Sequence, residues 1–449
     1  MFRLRPAFTG GLTLPRREPR AGELPIRQMP FAPRLHLPLR QHEGSPAVAV
    51  VREGEEVSRG QLLAQAEAET SVPLHAPATG WVLSIVERPD PAGGTVPVIC
   101  LVPFPGDTQE YPGGPGLDPD AASADRLLAA IRDAGIVGQG GAGRPTHARL
   151  CAVPGQGIGS LVVNGIESEP VFCRVQAVLR EHAADVRMGA RYLLKVLGAA
   201  RAVLAVEPAD GDAARALVAG APDGLPLELQ VLPPRYPQGA EELLPRVLSG
   251  VLGRGGSRDL QARAVCLNVA TVAEIGRLLA GGLGVTDQLV SLAGGALRAP
   301  GIYRVPLGTP LRFVLQHAGV SPDLAQVLDG GPMRGEALAS LDGPITKGMT
   351  GFLALDRHEA GTPEPPLPCI RCGECLVACP VQLHPAQLGL LARKGELQAM
   401  YEDYHLDKCF ECGCCAYVCP SHIPLVQLFR AAKAQWRRRQ PAAAGEGAS

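Results

Sequence analysis

The chain has 449 residues, 46% hydrophobic but only 4% aromatic, with 43 Lys and Arg against 44 Asp and Glu for a formal net charge of −1. That length exceeds one ordinary core and predicts several domains. The near-zero balance leaves no basic footprint for nucleic acid and no strong pull to an anionic membrane, so no nucleic-acid partner is expected.

The opening segment, MFRLRPAFTGGLTLPRREP, is basic but lacks the apolar stretch of a secretory signal. No run of about 18 uninterrupted apolar residues occurs, so no spanning helix is expected. Residues 1–105 read as short strands broken by Pro and Gly, a small all-β module. Pro103 to Asp120 is rich in Pro and Gly and reads as a linker. Residues 118–265 alternate strands (SLVVNGI, ARAVLAVE, LELQVLP) with helical segments. Of those segments, AVLREHAADVRMGARYLLKVLG reads as one long amphipathic helix, and the alternation predicts an α/β layered domain. Residues 266–355 read as strand, turn, strand and helix, an α+β unit. Residues 360–435 hold helical segments and most of the cysteines, and 436–449 read as a disordered tail.

Two cysteine runs share one spacing. Cys369, Cys372, Cys375 and Cys379 precede Pro380, and Cys409, Cys412, Cys415 and Cys419 precede Pro420. Each is C-x2-C-x2-C-x3-C-P, the bacterial ferredoxin pattern, in which the fourth Cys serves the other cluster. This predicts one [4Fe–4S] cluster on Cys369, Cys372, Cys375 and Cys419, and a second on Cys409, Cys412, Cys415 and Cys379. Zinc is the rival, since C-x2-C pairs also build zinc sites; the shared x3 step and Pro favour cubanes and one-electron chemistry. Cys414 is the spare thiol and is expected to face away from the cluster. Cys100, Cys151, Cys173 and Cys266 have scattered spacing and are read as buried thiols.

The stretch GIVGQGGAGRPTHARL carries Gly138, Gly140, Gly141 and Gly143. Such a loop lets backbone N–H groups approach a phosphate or a flat ring. It lacks the Lys-Ser/Thr of a P-loop and does not follow a strand, so a plain tight turn stays open as the other reading. Asn164, Glu167, Ser168 and Glu169 end a predicted strand, where polar groups line a ligand crevice in an open α/β sheet. Asn268 and Thr271 stand at the head of a predicted helix, where Asn268 also reads as an N-cap.

GQGGAGRPTH, NGIESEP and NVAT resemble the FMN- and NADH-binding motifs of the flavoprotein subunit of respiratory complex I. The cysteine runs, YPQGAEELL, GGPMRG, and LPLRQHEGSPAVAVVREGEEVSRGQLLA resemble RnfC of the Rnf ion-translocating electron transport complex, in order over nearly the whole chain. The resemblance implies a multidomain α/β and α+β fold. Its parts are an N-terminal barrel-sandwich module (1–105), an FMN-binding α/β domain (118–265), a β-grasp-like module (266–355) and a helical ferredoxin-type two-cluster domain (360–435).

The first of these modules resembles lipoyl carriers, but AEAETSVPLHAPATG has no Lys to modify, so a structural role is expected. The resemblance implies a peripheral subunit on the cytoplasmic face of the inner membrane. It would exchange electrons between NAD(H), FMN and two [4Fe–4S] clusters, with membrane subunits as partners and ferredoxin as an indirect one. The four loop glycines would line the FMN and nucleotide cleft. Asn164, Glu167, Ser168 and Glu169 would face the flavin or dinucleotide, Asn268 and Thr271 would bond the flavin phosphate or ring edge, and His147 or Arg149 could serve a phosphate. Arg144 replaces the family's usual Phe, Val175, Gln176 and Ala177 replace an acidic pair and Arg, and Glu242 stands where Lys is frequent. Two other readings remain: a cluster-bearing relay without a working flavin site, and a cobalamin-reductase-like flavoprotein.

Overall fold

The computed structural model describes residues 8–15, 25–90, 93–106, 109–141, 143–151, 158–252, 264–362 and 364–439. The first module is built from two small sheets. Leu35–Pro38, Thr95–Pro103, Gly80–Pro89 and Glu56–Val57 form one, and Val48–Ala49, Leu62–Gln65 and Leu74–His75 the other. Alternation sets the buried face: Leu35 and Leu37 are fully buried and pair with Leu101 and Ile99 across the antiparallel ladder. The module is not closed on itself. Arg27–Gln28 leaves it to pair in parallel with Gly301–Pro306.

The segment after this module packs tightly, unlike the linker expected. Gly114 N–H donates to Gly282 O at 2.9 Å and Leu117 N–H to Leu279 O at 2.9 Å. A Cβ on Gly116 would lie 2.0 Å from Ala280 O, so the glycine permits the close approach.

The α/β unit has a parallel four-stranded sheet in the order Leu227–Val231, Arg201–Val206, Ser160–Gly165, Ala264–Asn268. The last strand corrects the sequence reading. Ala264–Asn268 pairs with Ser160–Gly165, and helix Val269–Gly281 packs on helix Ala183–Leu197, so the unit runs to about residue 281 rather than 265. The single long helix expected is two, Arg174–Glu181 and Ala183–Leu197, broken at His182 (φ −115°, ψ 24°). His182 Nδ1 lies 2.7 Å from Asp185 Oδ2 there, so the ring tops the second helix.

The next unit is a mixed six-stranded sheet: Arg27–Gln28, Gly301–Pro306, Asp287–Ala293, Gly351–Asp356, Leu324–Asp329 and Glu336–Ala337, in that order, with helix Leu311–His317. Lys347 of this unit is fully buried, and its Nζ donates to Pro73 O at 2.7 Å and Gly135 O at 2.8 Å. One ammonium thereby ties three modules, and burial lowers its pKa to about 7.

The C-terminal unit repeats itself at an offset of 40 residues. Left-handed backbone recurs at Arg371 and Glu411, Gly373 and Gly413, and Gln382 and His422. The same bends wrap each cysteine run. Helix Leu425–Arg439 closes the unit over Leu388, Met400 and Leu406. Trp436 stacks on Tyr401 with centroids 4.4 Å apart, which orders the chain to Arg439 where a tail was expected from 436; residues 440–449 lie outside the described residues. Among the described residues no helix is long and apolar enough to cross a membrane.

The two helices that carry much of the α/β unit touch through glycines. A Cβ on Gly276 would sit 1.9 Å from Asp185 O, and one on Gly189 1.9 Å from Val272 O. Overpacking of this kind costs about 1–3 kcal/mol. Gly276→Ala is therefore expected to lower the thermal midpoint by several degrees in calorimetry; an unchanged midpoint contradicts the close crossing.

Candidate functional site

The sheet order places a topological switch between Ser160–Gly165 and Ala264–Asn268, because the chain leaves the first strand in one direction and returns on its other side. Ligands of open α/β sheets bind at the carboxyl ends of strands at such a point. Asn164 and Asn268 are register partners there. A cavity of about 790 Å³ opens over them. Its walls include Gly138, Gly140, Asn164, Glu167, Ser168, Glu169 and Asn268, the greater part of the residues singled out from sequence.

Most of these side chains also hold the walls in place. Asn164 Nδ2 donates to Gly239 O at 2.7 Å and its Oδ1 accepts from Ile166 N–H at 3.1 Å, so it ties the 236–240 turn to the strand end. Asn268 caps helix Val269–Gly281, accepting from Ala270 N–H at 2.9 Å. Glu167 accepts from Val175 N–H at 2.9 Å, at the start of Arg174–Glu181. Glu169 accepts from Met333 N–H at 3.1 Å and Arg334 N–H at 2.8 Å, drawing the GGPMRG turn onto the cavity.

Four expected residues lie elsewhere. Thr271 is fully buried behind the wall, and its Oγ1 accepts from Gln139 N–H at 2.9 Å. Gly141 and Gly143 bend the loop with φ of 99° and 60° and are not among the cavity's walls. His147 also turns away, with Nε2 2.8 Å from Glu69 O in the first module. Arg149 lines the cavity but is paired with Glu241 at 2.8 Å, and Arg144 at its edge is paired with Glu43 at 2.8 Å. Val175, Gln176 and Glu242 line it; Ala177 is buried in the core.

Other wall residues carried no sequence argument of their own. Tyr236, Arg334 and Phe410 come from three different units. Tyr236 O–H donates to Cys412 O at 2.6 Å. YPQGAEELL and GGPMRG marked the first two as motif members, but only the tertiary fold brings them to the cavity.

Phe410 leads to the second space. It also lines a void of about 20 Å³ shared by Cys379, Cys409, Cys412 and Cys415, the four thiols expected on one cluster. Backbone Leu383 N–H donates to Cys379 Sγ at 3.3 Å, the kind of donor an anionic sulfur favours. Among the described residues the other four line no such void, and Cys369 and Cys372 are exposed. Burial raises Cys375, and the neighbouring sulfurs of Cys372, Cys419 and Cys369 add to it. Among the described residues no three His, Cys, Asp or Glu converge tightly enough to hold one metal ion. Tetrahedral zinc with Zn–S bonds of about 2.3 Å would need thiolates about 3.8 Å apart. In a cubane each thiolate binds a different iron, and four Cys thiols in C-x2-C-x2-C-x3-C-P runs are the donor set such a cluster takes.

Cys414 does not face away. It is fully buried and lines the same void, and the adjacent Cys412 sulfur, with burial, pushes its thiol up. Of the scattered thiols, Cys100, Cys173 and Cys266 are buried as expected, while Cys151 is exposed.

Three family models match: the RnfC barrel sandwich hybrid domain over residues 6–103, the Nuo51 FMN-binding domain over 131–277, and a 4Fe-4S dicluster domain over 368–423. The chain is 33% identical over 402 residues to the RnfC protein of the proton-translocating ferredoxin:NAD(+) oxidoreductase complex of Clostridium ljungdahlii, covering 89% of this chain and 87% of that one. The chain belongs to this RnfC family. The RnfC proteins of the ion-translocating oxidoreductase complexes of Pseudomonas aeruginosa and Pasteurella multocida are 39% and 35% identical to it, over 97% and 98% of this chain. It spans 56% and 53% of those two relatives, about half their length. This RnfC-family chain thus carries a barrel-sandwich N-terminus, an FMN-binding domain and a [4Fe–4S] dicluster domain.

Burial raises the Glu169 carboxyl from its ordinary 4.5 to about 7, against the opposing pull of the Met333 and Arg334 N–H groups. The folded chain therefore keeps this proton between pH 4.5 and 7, where the unfolded chain has released it. Stability from this group is present below pH 4.5 and is lost as pH rises through about 7. Thermal midpoints across this window are expected to fall less for Glu169→Gln than for wild type; parallel curves contradict the raised carboxyl.

Proposed function

We propose that the chain is the peripheral electron-transfer subunit of an Rnf-type ferredoxin:NAD oxidoreductase complex. It exchanges electrons between NAD(H), FMN and two [4Fe–4S] clusters, and membrane subunits couple that exchange to ion transport. Ferredoxin is an indirect partner, and the chain sits on the cytoplasmic face of the inner membrane. The observation that carries this reading is Phe410, which lines both the cavity and the void among four cysteines.

When bound, FMN supplies the exchange between a two-electron hydride and single electrons. This chain's residues hold and orient it. Gly138 and Gly140 leave room for close backbone approach. The start of helix Val269–Gly281 offers its positive end to a phosphate. Asn164, Glu167, Ser168 and Glu169 form the polar wall. Cys409, Cys412, Cys415 and Cys379 hold the cluster beside the cavity. Cys369, Cys372, Cys375 and Cys419 hold the other, with Cys369 and Cys372 exposed for electron exchange at the surface. The mixed sheet with helix Leu311–His317 is read as the β-grasp-like module, whose Arg334 and Met333 backbone closes the cavity through Glu169.

Anaerobic reconstitution is expected to give about eight iron per chain, two cubanes of four, and one FMN released by acid. Cys419→Ser is expected to lose the cluster of Cys369, Cys372 and Cys375 and keep the other, while Cys414→Ala keeps both. Zinc in place of iron overturns the proposal. Full iron without any uptake of added FMN reduces the chain to a cluster-bearing relay.

A further inference from the structure

Gly138 and Gly140 face the cavity, but the residue between them faces the protein. Gln139 is 4% exposed, and each of its polar groups has a partner. Its N–H donates to Thr271 Oγ1 at 2.9 Å. Its Nε2 donates to Glu274 Oε2. Arg174 donates to both acceptors, through Nη1 to Oε1 at 3.1 Å and through Nη2 to the backbone O. Arg174, Thr271 and Glu274 are themselves buried.

These partners belong to the other walls. Arg174 opens helix Arg174–Glu181, and the next residue, Val175, gives its N–H to Glu167 of the polar wall. Thr271 and Glu274 stand on the helix that Asn268 caps. Gln139 therefore locks the glycine loop to both remaining sides of the cavity. The loop is also closed on itself by Gly138 N–H to Arg144 O at 2.8 Å and tied to the first module by Glu43 N–H to Gly143 O at 3.0 Å, but Gln139 is the residue that fixes its glycines to Arg174–Glu181 and Val269–Gly281. Ordering a residue costs backbone entropy, and a ligand that must order the loop binds more weakly by that amount.

We propose that Gln139 and Arg174 are positioning residues that preorganise the glycine loop for the phosphate-bearing, flat-ringed cofactor of this cavity. The guanidinium fork is suited to the task because its planar, fixed N–H groups meet both acceptors in one geometry, which the rotatable ammonium of a Lys does not impose. Thr271, expected on sequence grounds to touch the cofactor, acts through Gln139 instead. The inference rests on the FMN reading of the cavity, but the order of the loop can be measured without the cofactor.

The test uses the full chain with reconstituted clusters. Variants Gln139→Ala, Arg174→Lys, Thr271→Val and Thr271→Ser are compared by hydrogen exchange over residues 136–146 without FMN, and by fluorescence titration with FMN. Gln139→Ala and Thr271→Val are expected to speed exchange in that segment about tenfold and weaken FMN about tenfold, the equivalent of roughly 1.4 kcal/mol. Thr271→Ser, which keeps the acceptor, is expected to match wild type. Iron content and exchange elsewhere stay unchanged, which separates positioning from general destabilisation. Arg174→Lys is expected to behave as Gln139→Ala does. Exchange and FMN affinity within twofold of wild type in both Gln139→Ala and Thr271→Val overturn the proposal. Wild type that takes up no FMN overturns the cofactor reading and the ligand half of this inference, while exchange still decides whether the clamp holds the loop.

Discussion

One contact surface joins the cavity to the cysteine-bearing unit: the Cys409–Cys412 turn docks on the cavity's wall. Phe410 stands between the two spaces. Tyr236 ties its hydroxyl to Cys412 O at 2.6 Å. Gly413 comes so near the GGPMRG turn that a Cβ would meet Met333 O at 2.4 Å. From the far side, Glu411 is held by Arg430 and Lys433 at 2.9 Å each, and Arg430 also donates to Arg334 O at 2.6 Å. A turn fixed from both sides keeps its sulfurs at a constant distance from whatever occupies the cavity. A two-electron carrier and one-electron acceptors can then work in series.

The same rigidity extends through buried polar groups at the joints between modules. Lys347 links three of them through two carbonyls. Gln139, with Arg174, Thr271 and Glu274, links three walls of the cavity. Such groups are costly to bury unless every donor and acceptor is met. Their partners here favour one arrangement of the units, and the segment after the first module is packed against Gly281 and Gly282 through its own close-fitting glycines.

What was legible in the sequence was local. The eight-cysteine spacing is local, since three ligands of each predicted cluster come from one turn; Cys379, Cys409, Cys412 and Cys415 line one void with Phe410. The end of Ser160–Gly165 was legible because a buried strand followed by polar residues has one common use in an α/β sheet, and Asn268 was legible as the head of a helix. What was missed came from tertiary context. The apolar pattern runs through His182 without a break, so two helices read as one. Ala264–Asn268 reads equally well as the first strand of a new unit, and only its pairing with Ser160–Gly165 assigns it. Thr271 stood at the right helix, but one turn too far in to reach the cavity. Cys414 looked spare because spacing shows which thiols can be ligands, not which way the remaining one points.

The most direct measurement runs electrons through the contact. Both clusters are reduced anaerobically with one equivalent each of titanium(III) citrate, and the protein with FMN is mixed with NAD+. Two cluster electrons and one solvent proton make one NADH. The account predicts that the visible absorbance of the clusters returns in step with the appearance of NADH, in a ratio of two electrons to one. Clusters that stay bleached while FMN is bound and NAD+ is in excess would contradict it.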